Sequence, residues 1–500
     1  MTIEKTTQAF KDYLARIKMF KEASAILSFD SETVAPPGSV KARAKRAGFF
    51  EVEIFKMETA PEMKEFLELL EPHLDSLDDE LKGMYRISKK AYDKGTKIPA
   101  KLVQAFGELK QEASVVWAKA RKENDFQMFA PYLKRLLELQ KEVIHYRGDN
   151  GQAYDLLLGD YEEGMTMVVY DEFFAKLKET VVPLLKQIRQ SEKKIDMDFV
   201  NHPVSLEAQR ELSKFIGSKI GYDLERGYIT ESTHPFCNGS NKYDVRITTR
   251  YLETDFLSSL YSILHECGHA IYDQGIRDDI TTTILGKGAS MGIHESQSRF
   301  YENIIGRNRV FWEALKDELM TYLPAQFNSI TPQKFYEATN EVKPSFIRVE
   351  ADELTYNLHV VIRYEIEKML FAEAITVDDL PQVWNQKFEE YLGITPPTDT
   401  VGVLQDIHWS LSAFGYFPTY ALGSAYAAQI SAHMQKELDI DELLKKQDFL
   451  TIKRWLNEKI HQYGLTYTPS ELMKKSFNET FNADYYITYL KEKFSKLYEI

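Results

Sequence analysis

The chain has 500 residues, 44% of them hydrophobic, so it can bury a large core as one large domain or a few closely packed ones. A formal net charge of -14, with no Lys/Arg block long enough to follow a phosphate backbone, argues against nucleic acid as a partner. Two cysteines, Cys237 and Cys267, are too few for a disulfide framework and fit a reducing cytoplasm, a single bridge between them being the alternative.

The opening MTIEKTTQAFKDYLARIKMF alternates charged and apolar residues, which predicts an amphipathic helix in place of a secretory signal. Up to about residue 220 the pattern stays helical. LVQAFGELKQEASVVWAKARKE and FAPYLKRLLELQKEVIHY carry apolar residues at three- and four-residue intervals, as stacked antiparallel helices require. Pro36-Pro37-Gly38 breaks the first helical pair, and HPVS breaks a later one with Ser205 as a helix cap. Near Gly227 the character changes. YITESTHPF and YDVRITTRY are rich in β-formers, and the connecting CNGSNK carries Asn238-Gly239, so an antiparallel β-hairpin is expected here. In its second arm Val245, Ile247, Thr249 and Tyr251 alternate with Arg246, Thr248 and Arg250, the pattern of a half-exposed strand. Helical spacing resumes in DFLSSLYSILHECGHAIYDQG, with Thr254 or Asp255 as cap and Gly275 as the end. The rest is helical apart from LGKGASMGIHES and the aromatic HWSLSAFGYFPTYALGSAY, irregular segments of the kind on which sites are built. The most apolar long stretch, Val401 to Ile430, is interrupted by Gln405, Asp406, His408 and Pro418, which excludes a membrane span.

Within the last of the quoted helices, His265 and His269 are four residues apart and so share one face, where two imidazole nitrogens can meet one ion. Glu266 lies about 100° round the helix, beside such an ion, where a carboxylate can take a proton from a water that the ion holds. Asp273 continues the face one turn on, too far to ligate but placed to orient a histidine. A third ligand must come from another element. Glu295, in GIHESQSRFYEN and 26 residues past His269, is the best candidate, with His294 and Glu302 as rivals. Two histidines and a glutamate leave zinc an open fourth position, the catalytic arrangement; a structural site would be closed, usually by cysteines. An open zinc activates water and polarises a carbonyl, so amide hydrolysis is the natural reaction, with Glu266 passing the proton to the leaving amine. The tetrahedral oxyanion needs a donor, for which His408, Tyr416 and Tyr420 are candidates. The strand DVRITTR offers an edge along which a peptide could pair.

Several stretches, taken in order, match one family. THPF with His234, DVRIT with Asp244, Arg246 and Thr248, HECGH, HESQ, IRVEAD with Arg348 and Asp352, and GVLQDIHW with Gln405 and His408 together resemble the carboxypeptidase Taq family of metallocarboxypeptidases. The series runs from residue 234 to residue 409; the N-terminal SFDSETVAPP departs from the family in having Phe29 where a tryptophan is expected. The resemblance implies a mainly α fold: a single catalytic domain over 1–500, a large helical bundle with a deep substrate groove, a small antiparallel β-hairpin sheet beside the HExxH helix, and an N-terminal helical lid within 1–75. It implies a homodimer acting on peptides with a free C-terminus, releasing amino acids stepwise with broad preference; zinc is the cofactor expected from the ligand set, with cobalt as a replacement. By the same carry-over His265, His269 and Glu295 look like the metal ligands and Glu266 the general acid/base; beside them His408 and Tyr420 are expected to assist the chemistry, and His234, Arg246, Thr248, Arg348, Gln405 and Tyr416 to bind substrate. An exopeptidase needs a cation for the terminal carboxylate; Arg348, Arg246 and Arg250 are available and Arg348 is favoured, its bland alternative being a salt bridge to Glu350 or Asp352. The rival readings are a helical oligopeptidase that cuts internal bonds and a peptide-binding scaffold with a vestigial metal site.

Overall fold

Helices form where periodicity and caps place them. In the computed structural model, which describes residues 2–148 and 152–500, Thr2 accepts a hydrogen bond from Lys5 N and opens a helix over Ile3–Thr33. The proline break becomes a short 3-10 turn, Pro37–Ser39, followed by a helix over Val40–Glu58. Ser205 accepts from Ala208 N at the start of Leu206–Ile220, as the sequence implies. Asn124 takes a left-handed conformation and Asp125 caps the next helix, so that the two long amphipathic stretches become Ala100–Glu123 and Phe126–Arg147. Among the described residues no helix is long and apolar enough to cross a membrane, and neither cysteine is bridged.

The chain divides into two compact units, each assembled from three separate segments. The first comprises Met1–Thr96, Ile195–Thr339 and Tyr426–Phe481; the second Lys97–Lys194, Asn340–Ala425 and Asn482–Ile500. In the first unit, Phe10, Tyr13, Leu14 and Ile17 of the N-terminal helix bury one face against Met63, Phe66, Leu67 and Leu70 of Pro61–Leu70. Ile276, Ile280 and Leu285, which follow the HExxH helix in sequence, close the same cluster. Lys18 is buried beside it, its Nζ donating to the carbonyls of Ser240 (3.2 Å) and Gly286 (3.3 Å). The core of the second unit includes the helix Tyr356–Phe371, which is enclosed on nearly every side.

The sheet differs from the expected hairpin. It has three strands, β1 (Gly227–Glu231), β2 (Cys237–Asn241) and β3 (Asp244–Thr249), in the order β1-β3-β2, with β1 parallel and β2 antiparallel to β3. Asn238-Gly239 is therefore not the turn but part of β2, and the reversal falls at Lys242-Tyr243. Tertiary packing overrides the local turn signal. Asn238 Nδ2 donates to the Ala25 carbonyl of the N-terminal helix, and a Cβ on Gly239 would stand 2.7 Å from an Asp273 carboxylate oxygen, so glycine is needed for close approach. The expected alternation in β3 holds for Val245, Ile247 and Thr249 but fails at Thr248, which is wholly buried. Its hydroxyl lies 2.6 Å from Ser232 Oγ and accepts from Phe236 N at 3.0 Å, which satisfies the polar group that the central strand encloses.

Candidate metal centre

The HExxH helix spans Phe256–Gly275, with the Asp255 side chain accepting from Ser258 N, and it is buried around most of its circumference. A second helix, Met291–Arg299, starts at Ser290, whose side chain accepts from Ile293 N, and continues into a π-helical segment, Phe300–Gly306. The two helices touch backbone to backbone at Gly268. A Cβ there would lie 2.5 Å from the Gln297 carbonyl oxygen and 2.6 Å from Ser298 Cα, so the variable position between the two histidines has to be glycine for this approach.

That approach places Glu295 opposite the histidines. Glu295 Oε2 is 3.6 Å from His265 Nε2 and 3.4 Å from His269 Nε2. The three residues offer atoms that all lie within 4.8 Å of one another and could hold a metal ion. Ligands about 2.05 Å from a tetrahedral zinc are separated by about 3.3 Å, so the donor set fits in chemistry and in spacing.

The surroundings hold the three side chains in place. Arg299 Nε donates to Glu295 Oε1 at 2.8 Å and Ser298 Oγ to Oε2 at 3.1 Å. Burial would raise the Glu295 pKa, but Arg299 and the two histidines outweigh it and keep the carboxyl well below its ordinary range. Of the rival ligands, Glu302 meets the other side of His265: its Oε2 is 2.8 Å from Nδ1, and Arg299 Nη1 and Arg307 Nη2 donate to its two oxygens. His294 is turned away, its Nε2 lying 3.0 Å from Asp273 Oδ1. Asp273 thus orients His294, and neither candidate histidine ligand directly. Glu266 is 6% exposed, yet among the described residues no donor engages its carboxylate. Burial, with Glu295 adding, pushes its pKa up to about 7 against the pull of His265.

The other expected site residues fall in both units. In the first, His234 is exposed, its carbonyl accepting from Ser232 Oγ. Arg246 forks onto Asp244 through Nε and Nη2, both at 2.7 Å, and lies over the Phe29 ring at 5.2 Å. Phe29 in turn meets Phe236 edge-on at 5.8 Å, so the smaller ring at this position is buried and packed.

In the second unit, Arg348 is 5% exposed and three of the five N–H donors of its guanidinium are engaged. Nη2 and Nε donate to Asp406 at 3.0 and 3.4 Å, and Nη1 to Tyr356 Oη at 3.0 Å. The Tyr420 ring lies 4.8 Å from the guanidinium. Neither Glu350 nor Asp352 is the partner; Asp352 caps the Thr355 and Leu354 amides. Gln405 Oε1 accepts from Arg348 N at 2.8 Å, and Arg363 also binds Asp406. His408 packs against Phe417 (4.5 Å) and Tyr416 (5.3 Å), and burial pushes its pKa down to about 4. Arg299, Arg363 and Tyr356 are absent from the sequence reading. The first could have been found, since it stands four residues after Glu295 and three before Glu302 on one helical face.

A family model described as carboxypeptidase Taq (M32) metallopeptidase matches residues 9–494. Carboxypeptidase 1 of Bacillus subtilis is 44% identical over 499 residues, with 100% of each chain covered. Thermostable carboxypeptidase 1 of Pyrococcus furiosus is 36% identical over 96% of each. Among solved structures, the M32 carboxypeptidase of Deinococcus radiodurans R1 has a TM-score of 0.95 at 33% identity, covering 99% of this chain and 100% of its own.

Proposed function

The chain belongs to the carboxypeptidase Taq (M32) metallopeptidase family and is a metallocarboxypeptidase; from that premise we propose that it is zinc-dependent and releases amino acids one at a time, with broad preference, from the free C-terminus of peptides. The observation that carries this reading is the convergence of His265 Nε2, His269 Nε2 and Glu295 Oε2 beside the Glu266 carboxylate, which no donor among the described residues engages.

In this reading the three converging atoms hold the ion, and cobalt can take the place of zinc. A divalent ion in such a His2Glu site supplies a Lewis acid and an acidified water with a pKa of about 7. Glu266 takes the proton from the attacking water and delivers it to the leaving amine. Glu302 holds His265 by Nδ1 and leaves Nε2 for the ion, while Arg299 ties Glu295 and Glu302 together. For His408, Gln405, His234 and Thr248 the proposed catalytic or substrate-binding roles rest on their motifs, and for Tyr416 and Tyr420 on their place in the irregular aromatic segment that follows. For Arg348 the motif speaks for substrate binding; Asp406 and Tyr356 engage three of its five N–H donors and hold the guanidinium in place, which leaves one N–H on each Nη for a carboxylate. A cytoplasmic homodimer is part of the same proposal, supported by the family resemblance and by a cysteine count of two.

The test is mass spectrometry of an unblocked peptide after incubation with zinc- or cobalt-loaded protein. The expected result is a ladder of successive losses from the C-terminus that disappears when the peptide is amidated. Internal fragments, or cleavage indifferent to amidation, would establish the oligopeptidase reading instead. Glu266→Gln should retain its zinc by elemental analysis and lose at least about a hundredfold in kcat. Equal turnover by both forms would remove Glu266 from the mechanism.

A further inference from the structure

The two candidate histidine ligands are supported differently. His265 has a carboxylate behind it, Glu302 Oε2 at 2.8 Å from Nδ1, the usual backing of a ligating imidazole. His269 has none: its Nδ1 is buried and finds no hydrogen-bond partner among the described residues. What stands against His269 is a ring. The His294 imidazole stacks on it with centroids 4.4 Å apart and planes 14° from parallel.

His294 is itself fixed from several sides. Its Nε2 lies 3.0 Å from Asp273 Oδ1. It also stacks on Tyr272 (5.4 Å, 29°), which stacks on His461 (4.9 Å, 30°), whose Nε2 meets Gln297 Oε1 at 2.9 Å. The Tyr272 hydroxyl accepts from Ala289 N, which ties this run of four rings to the glycine-rich LGKGAS segment. A Cβ on Gly288 would stand 2.5 Å from His294 Cδ2 and 3.0 Å from Tyr272 Cε1. Both neighbours are atoms of packed rings that cannot swing aside, so that glycine is required by the stack.

We propose that His294 is the positioning residue of His269: with no acceptor behind Nδ1, the His269 ring is set by the flat face of His294, which Asp273, Tyr272 and the Gly288 segment lock in place. The proposal rests on the reading that His269 is a metal ligand. It gives the glycine-rich interruption a role, that of closing over the edge of the stack.

Zinc affinity of the full chain, measured by competition with a chromogenic chelator, together with the visible absorption of the cobalt-substituted protein, tests it without reference to turnover. His294→Phe keeps a flat ring and should stay within about threefold of wild type. His294→Leu keeps bulk without a flat face and should bind zinc roughly 10–100-fold more weakly, with an altered cobalt spectrum. Gly288→Ala, which touches no proposed ligand, should weaken binding in the same direction. His294→Leu at wild-type affinity with an unchanged cobalt spectrum would overturn the proposal, as would His294→Phe weakened as much as His294→Leu. Wild-type protein that binds no stoichiometric zinc would instead overturn the metal reading itself.

Discussion

At the scale of single residues, charge burial is where the chain is most exposed to mutation. Asp406 accepts from Arg348 and Arg363, and its carboxyl is held well below the usual range: burial opposes this, but the two guanidiniums outweigh it. Removing it leaves two buried cations unpaired, so Asp406→Ala should destabilise the protein by about 3–5 kcal/mol in chemical denaturation. A loss under 1 kcal/mol would show that water replaces the carboxylate.

Glu367 behaves in the opposite sense. It accepts from Tyr154 Oη (2.9 Å), Trp409 Nε1 (2.8 Å) and Gly415 N (2.7 Å), yet burial pushes its pKa up to about 7. A carboxyl raised above its unfolded value of 4.5 binds more protons in the folded state. Its contribution is therefore complete below that value and is lost as pH rises through about 7. Wild-type stability relative to Glu367→Gln should fall by roughly 3 kcal/mol between those two pH values, at about 1.4 kcal/mol per pH unit. A flat difference would mean that the three donors keep Glu367 ionised throughout.

At the scale of elements, the HExxH helix and the helix carrying Glu295 work as a pair whose separation is set by Gly268. Gly268→Ala would press a methyl group into the Gln297 carbonyl, backbone that cannot move without the helix. The expected cost is about 1–3 kcal/mol of stability, with loss of zinc stoichiometry although every proposed ligand remains. Thermal melts and elemental analysis on one sample check both. The helices are legible in the sequence because their information is local: Thr2, Ser205 and Asp255 cap the turns that follow them, and the apolar spacing repeats within each segment. The sheet is not. Parallel pairing of β1 with β3 joins residues that no turn signal connects, and the Asn-Gly pair that resembles a turn serves packing against Ala25 and Asp273.

For the whole molecule, stability and ligand binding are linked, since each unit gathers distant segments. Lys18 carries a buried cation whose hydrogen bonds reach β2 and the glycine-rich segment. Burial lowers its pKa, against the pull of Glu22. Lys18→Ala should leave two carbonyls without this donor and cost about 1–3 kcal/mol, read as a fall in the denaturation midpoint. An ion that binds only the folded chain adds RT ln(1 + [L]/Kd), about 4 kcal/mol at a free concentration of 1,000 Kd. Chelator-treated protein should therefore melt at a lower temperature and recover with zinc. A Tm indifferent to zinc would argue against the proposed site.

The sequence by itself determined the helical class, the helix ends and the pairing of His265 with His269 on one face. All of these follow from spacing along one segment. Only the tertiary structure brought Glu295, and neither Glu302 nor His294, against the two Nε2 atoms, because all three lie on one stretch of helix and their directions depend on how closely that stretch approaches Gly268. It also decided that Arg348 faces Asp406, 58 residues on, and not a neighbour on its own turn. A buried guanidinium takes the acceptor that enclosure brings to it, and enclosure is a property of the packed chain, not of local spacing.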